Sequence, residues 1–370
     1  MIIKSITISE LLNNKGDISY NFNRDLNIFT GRNGSGKTTI MKLIWFIISG
    51  NINYALREVE FKYCILKTSL YTCKISKINQ NRSKITVEHD GGVENFEDDI
   101  DIIEDLDVDP FSDYAWEKAN PFFVDIGASI FFPTFRRIEG GFSLATRPSN
   151  VRSNVRPKSD IDDALSSLSK KMTNADHLFV SAISTQDINE LLLRRYASFS
   201  EEINLFQQDV SRNVIDKIRH YEQSQNSRES ADDLLSETRK EIEKIEEFRS
   251  KTLKPLDLVR NLVEKLFQHS GISFGRRLNF GDAAAAVNSD LLSAGEKQML
   301  SFICYNAFYK NSIIFIDEPE LSLHVDWQRQ LSNILQSQNS SNQFIFATHS
   351  PFIYGKYPDK ELSISVDRGE

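Results

Sequence analysis

The sequence predicts an α/β protein: a mixed sheet packed with helices, joined to an antiparallel β subdomain and split by a helical, coiled-coil-like insertion. Three observations predict it. Short apolar runs at Leu26–Phe29, Ser312–Glu318 and Phe344–Ser350 each end in a polar or glycine-rich turn, as strands buried in a sheet do. Residues 57–88 hold β-rich runs, FKYCILKT, YTCKISKI and SKITVEH, close enough together for antiparallel pairing. Between residues 188 and 267, apolar residues instead recur by threes and fours.

Bulk composition sets limits. A chain of 370 residues allows two or three structural units, and 40% hydrophobic with 26% charged residues is ordinary for a globular protein. The net charge of −8 argues against a uniformly basic nucleic-acid binder, though a local basic patch can still meet phosphates. Cys64, Cys73 and Cys304 are too few and scattered for a disulfide framework or a zinc site; Cys64 and Cys73 either pair across a hairpin or stay reduced. The start, MIIKSITISEL, alternates like a strand rather than a secretory leader, and no apolar run approaches the ~20 residues that span a membrane. A cytoplasmic protein without membrane partners is expected.

In chain order, Ile2, Ile6 and Ile8 alternate as in a strand, and Leu26-Asn27-Ile28-Phe29 reads as a buried one. A glycine-rich loop follows, and Thr39–Ser49 continues as an apolar helix. Glu88–Asp109 is acidic without Lys or Arg, either a solvated face or a binding surface. Phe122–Arg137 reads as a buried strand ending in an arginine pair, and Gly140–Ser159 as a basic loop with Arg147, Arg152, Arg156 and Lys158. Ile188, Leu192, Tyr196, Phe199, Ile203, Phe206, Val210, Val214, Ile218 and Tyr221 make one seam on a long helix. After the polar break SQNSRESA, Ile242, Ile245, Phe248, Leu256, Val259, Val263 and Leu266 line a second helix, which Pro255 kinks or restarts. The two form an antiparallel hairpin that either protrudes or packs as a helical domain. Strand-like GISFGR and Ala-rich GDAAAAV then lead to helix, strand, helix and strand. Expected boundaries are 1–160, 161–268 and 269–370, the first and last being parts of one head.

The chemistry sits in four motifs. Gly31, Gly36, Lys37 and Thr38 satisfy G-x-x-x-x-G-K-[ST] between a buried strand and a helix, the setting of a triphosphate loop. Gly31, Arg32, Asn33, Gly34, Ser35, Gly36, Lys37, Thr38 and Thr39 are the candidate ATP-binding residues, since glycines let backbone N–H groups face phosphates and the helix dipole adds to them. Lys37 would pair with the β- and γ-phosphates, and Thr38 would ligate Mg²⁺. Strand SIIFIDE delivers Asp317 as a second Mg²⁺ ligand and Glu318 as a general base facing the attacking water. In LSAGEKQM, Ser293, Gly295 and Glu296 form either an ordinary helix cap or a second anion site, which would serve the nucleotide of another subunit. The strand FIFATHS ends at His349, either a structural histidine or, at the same sheet edge as the other motifs, one that contacts the γ-phosphate and the catalytic water.

In this order the motifs resemble the ABC-type ATPase superfamily, in the RecF, SMC and OLD-like branch, over residues 1–55 and 270–360. The resemblance makes 31–39 the Walker A loop, Asp317-Glu318 the Walker B pair, Ser293–Glu296 the signature loop and His349 the switch histidine. LSAGEKQ departs from the transporter LSGGQ, and Glu320–His324 stands where transporters have their D-loop. DEPELSLH is similar to the form in OLD-like and other bacterial defence ATPases. No Q-loop glutamine is placed; Phe132–Arg137 is the neighbouring segment.

The resemblance implies ATP and Mg²⁺ as cofactors and a head-to-tail homodimer or higher homo-oligomer that sandwiches two nucleotides. With no Toprim or other nuclease motif after His349, it implies the ATPase subunit of an anti-phage defence system such as PARIS, Septu or a retron system. The effector would then be a separate Toprim or HNH nuclease, and the trigger a phage protein. Alternatives are a DNA-repair ATPase that contacts DNA through Arg136, Arg137 and the basic loop, a transporter subunit, and a scaffold that binds ATP with little hydrolysis.

Overall fold

A computed structural model of the chain describes residues 1–13, 16–78, 82–98, 114–134, 136–138, 160–183, 185–223, 228–266 and 292–364. The basic loop 140–159, the later part of the acidic run, and the GISFGR and GDAAAAV segments lie outside these residues. Two compact units divide the chain: Met1–Ser184 with Ser293–Met299 and Tyr309–Glu370, and Thr185–Leu292 with Leu300–Phe308.

The first unit is built on two six-stranded sheets. In one, β1 (Ile3–Ser9), β2 (Asp17–Asn21), β4 (Tyr63–Thr68), β5 (Tyr71–Lys77), β6 (Ser83–His89) and β7 (Gly92–Glu97) run antiparallel in the order β2-β1-β4-β5-β6-β7. One face alternates into the core: Tyr71, Cys73 and Ile75 are buried while the residues between them are half-buried. Cys64 lies opposite Ile75 and Cys73 opposite Leu66, out of register with each other, and both are buried free thiols.

The other sheet is parallel throughout. Its order is β10 (His177–Phe179), β8 (Ser129–Phe132), β12 (Ile313–Asp317), β13 (Gln343–Ala347), β3 (Leu26–Thr30) and β14 (Glu361–Ser363). Every residue of β3, β8, β12 and β13 is buried, which is why their sequences run apolar without alternation. Strands from before and after the helical insertion thus interleave. The mixture of strand directions is divided between two sheets, because tight turns serve the antiparallel one and helical crossovers the parallel one. Gln343 fastens the sheets together: its side chain accepts from Ile3 N at 2.8 Å and donates to Ile3 O at 2.9 Å.

Helix α1 (Lys37–Ile48) lies in the core, with Trp45 tilted against Phe131 and Phe179 at 5.5 and 5.3 Å. The strand expected from Phe122 is shorter than the sequence suggested. Phe122–Val124 finish helix α3 (Ala115–Val124), where Ala115, Ala119 and Phe123, spaced by fours, are fully buried; only Ser129–Phe132 pair as β8.

In the second unit α5 (Thr185–Gln223) and α6 (Arg228–Leu266) are 39 residues each, about 58 Å at 1.5 Å per residue. Phe206 stacks on Phe248 with centroids 4.1 Å apart, and Lys217 pairs with Glu237 at 3.1 Å. Eleven residues forward on one helix are therefore eleven back on the other, the register of an antiparallel pair. Pro255 neither breaks nor restarts α6, for it forfeits one backbone bond while it and Leu256 are buried. Ile218 and Ile242, expected on the seam, are exposed (39% and 56%) because two helices cover only a narrow stripe of each other. No helix among the described residues is long and apolar enough to cross a membrane.

Candidate nucleotide site

Strand β3 delivers the chain to the glycine loop. Gly31 has φ 146°, and a Cβ there would lie 2.8 Å from Ile364 O and 2.9 Å from Ser35 Oγ, so no larger residue fits. Gly36, at φ 99°, turns the chain into α1. Arg32, Asn33 and Gly34 are exposed, Ser35 and Lys37 are buried, and Thr38 and Thr39 are half-buried in the first turn. Ser35 Oγ is buried without a hydrogen-bond partner in a loop whose glycines keep the backbone open. An anion bound here would supply that partner, and the positive end of α1 favours it.

Lys37 folds back over this loop. Its ammonium donates to Gly31 O at 3.2 Å, Arg32 O at 3.3 Å and His349 Nε2 at 2.6 Å. Burial lowers the lysine pKa, opposed by the charges of Glu318, Asp317 and Glu320. Burial and then Lys37 lower that of His349, which keeps the ring able to accept from the ammonium.

Two carboxylates come from the end of β12. Asp317 is fully buried; Oδ1 accepts from the Thr38 hydroxyl at 3.0 Å and Oδ2 from the Thr134 hydroxyl. Burial raises its pKa, opposed by both hydroxyls and by Arg136 and Lys42. Thr38 and Asp317 share one place, and an oxygen pair of this kind suits Mg²⁺, which keeps waters and phosphate oxygens as its remaining ligands. Among the described residues no group of three or more His, Cys, Asp or Glu forms a denser metal cage. Glu318 stays on the sheet ladder through its N–H (2.8 Å to Ala347 O) but has φ 47°, a left-handed conformation costly for a glutamate. That turn sets Glu318 Oε1 3.3 Å from His349 Nε2. Burial, the hydrogen bond its protonated carboxyl donates to Glu320, and the charges of Glu320 and Asp317 push that carboxyl up to about 8, against the pull of Lys37.

Ser293, Gly295 and Glu296 lie at the start of α7 (Ala294–Phe308). The Glu296 carboxylate accepts from Ser293 N at 2.7 Å and the Ser293 hydroxyl from Glu296 N at 3.3 Å, a reciprocal capping box. A Cβ on Gly295 would fall 2.3 Å from Ser322 O, so glycine here lets α7 abut the loop that follows β12.

Residues 26–354 match the family described as "AAA domain, putative AbiEii toxin, Type IV TA system". The chain belongs to this family. It is therefore an AAA domain, of the ATPase class, carried on an α/β fold with a helical insertion. Similar solved structures include the Smc head bound to the C-winged helix domain of ScpA, and a Pyrococcus furiosus Smc head with an extended coiled coil bound to the C-terminal domain of ScpA. Each is 12% identical, covers 96% of this chain and 91% of its own, and has a TM-score of 0.37. No curated protein matches the chain.

Within this AAA domain, Lys37, Thr38, Asp317, Glu318 and His349 come together, while Ser293, Gly295 and Glu296 contact each other and Ser322. Arg136 is not a DNA contact. It is buried and donates to Pro133 O (2.8 Å), Asp317 O (2.7 Å) and Glu318 O (3.1 Å), so its guanidinium is committed to the strand end that carries the carboxylates. Thr134 and Glu320 belong to the site; Thr134 carries no motif, and Glu320 lies in the DEPELSLH segment without a role of its own assigned from sequence. Phe132–Arg137 reads in sequence as a neighbouring segment, but nothing in it singles out the hydroxyl of Thr134. The signal for Glu320 was a third acid in DEPE, two residues beyond the pair.

Proposed function

We propose that the chain binds ATP at residues 31–39 and hydrolyses it, with a second copy completing the site head to tail. The observation that carries this reading is the cluster of Lys37, Glu318 and His349 beside the Thr38–Asp317 pair, at the mouth of a glycine loop. Lys37 leaves its own loop carbonyls for the β- and γ-phosphates. Thr38 and Asp317 would hold Mg²⁺, which would neutralise charge developing on the phosphates. Glu318 takes the proton of the attacking water, and His349 fixes the water and the γ-phosphate between itself and Lys37. Ser293 and Gly295, capping α7, face the nucleotide of the other copy; Glu296 serves the cap and thereby orders that loop.

At the level of the cell we propose the sensor and scaffold ATPase of an anti-phage defence complex that controls a separate nuclease effector. The family's description, with its toxin and TA system, supports a system of that kind. The test is the full-length Glu318→Gln variant, purified and sized by light scattering with and without ATP and Mg²⁺. We expect ATP to convert it to a dimer or larger assembly, and wild type to release phosphate at a rate at least a hundredfold above the variant. A variant whose mass ignores ATP would sink the shared site.

A further inference from the structure

Lys37, Glu318 and His349 come from three separate turns, and the end of a strand does not by itself fix the turn that follows. One carboxylate joins two of these turns. Glu320 Oε1 accepts from the backbone N–H of His349 at 2.8 Å and of Ser350 at 3.1 Å, and Oε2 accepts from the Thr348 hydroxyl at 2.7 Å. Three consecutive residues after β13 thus hang on one side chain rooted after β12. Bonds to a carboxylate are shorter and stronger than neutral ones, and Thr348 is fully buried. The root is held in turn: Gln328 donates to Leu323 O at 2.8 Å and accepts from the Ser350 hydroxyl at 2.6 Å, and Gln298 donates to Pro319 O at 2.9 Å.

We propose that Glu320 is a positioning residue for ATP hydrolysis: by fastening the Thr348–Ser350 turn to the end of β12, it holds the His349 ring between Lys37 and Glu318. The inference rests on the ATPase reading above and adds to it a residue that acts through His349 rather than on the nucleotide. What the geometry requires of position 320 is acceptor atoms at this reach. A glutamine keeps an oxygen for the two N–H groups and turns its amide toward the Thr348 oxygen, which can accept. An alanine supplies nothing.

The experiment compares Glu320→Ala and Glu320→Gln with wild type in the full chain, by steady-state ATP turnover and by hydrogen exchange at the His349 and Ser350 amides. For Glu320→Ala we expect kcat to fall at least tenfold with KM for ATP within twofold, and both amides to exchange at least tenfold faster. With turnover measured at about pH 9, where Glu318 is ionised whether or not position 320 is charged, Glu320→Gln stays within about threefold of wild type on kcat, KM and amide exchange. The proposal is overturned if Glu320→Ala keeps its amide protection, loses it at unchanged kcat, or raises KM alone, or if Glu320→Gln is as impaired as Glu320→Ala. Should Glu320→Ala fail to fold, Glu320→Asp, one methylene short of the turn, takes its place with the same expectations. Absence of turnover in wild type would refute the ATPase reading; intact protection in Glu320→Ala with active wild type would refute only the role of Glu320.

Discussion

Glu318 is the residue on which folding and chemistry conflict most. Its backbone is left-handed and its carboxyl, 16% exposed, sits among Glu320, Asp317, Lys37 and His349. With its carboxyl pushed up to about 8 from an ordinary 4.5, the native state holds that proton more tightly than the unfolded chain does. The sign follows: this contribution to stability is complete below about pH 4.5 and is lost as pH rises toward 8. Glutamine imitates the protonated carboxyl and does not titrate. We expect Glu318→Gln without nucleotide to melt above wild type at pH 8, with the gap shrinking toward pH 5. Parallel melting curves across that range would contradict the assignment. The same proton bears on the proposed role of Glu318, since a general base must be ionised. Lys37 favours the ionised form, so a triphosphate that drew Lys37 away would make the proton harder to lose.

At the scale of elements, the contact between α7 and the loop after β12 is made of backbone on both sides. Gly295→Ala places a methyl 2.3 Å from Ser322 O, which no side-chain rotation relieves, and Ser322 is itself held at φ 68°. We expect a loss of about 1–3 kcal/mol, read as a lower urea midpoint at unchanged slope; an unchanged midpoint would mean that α7 can shift freely. Legibility in the sequence divides along similar lines. β3, β12 and β13 were readable because a strand buried on both faces is written as one apolar run, and the hairpin because its period is helical over dozens of residues. α3 was misread because two phenylalanines beside a true strand look like its start, although Ala115, Ala119 and Phe123 already had helical spacing. Thr134 left no trace and Glu320 only a third acid in DEPE without a role, since their partners lie 183 and 28 to 30 residues away and only the folded sheet brings them together. Arg136 shows the reverse error. A basic side chain in sequence suggests an external phosphate, and in the fold it serves the carbonyls of its own β12 end.

For the whole molecule, the feature that governs ligand response is the parallel sheet. It draws β3 from one end of the chain and β12 and β13 from the other, so the glycine loop and the carboxylates are joined only when the first unit is folded. Lys37, Thr38, Asp317, Glu318 and His349 all belong to that unit. A ligand held by such a site binds the folded state and has nothing equivalent to hold in the unfolded chain. Its stabilisation then follows mass action, about 2.7 kcal/mol at a hundredfold excess over Kd. For a unit of this size that is a rise of roughly 5 °C in melting temperature. We expect Mg²⁺-ATP to produce it in Glu318→Gln, where turnover does not consume the ligand, and expect it to vanish when Lys37→Ala is added. Magnesium alone should give little, because Thr38 and Asp317 would supply only two ligands and phosphate oxygens would be needed for more. A shift of the same size with AMP would place the affinity outside the glycine loop, since a monophosphate cannot reach both Lys37 and the Thr38–Asp317 pair.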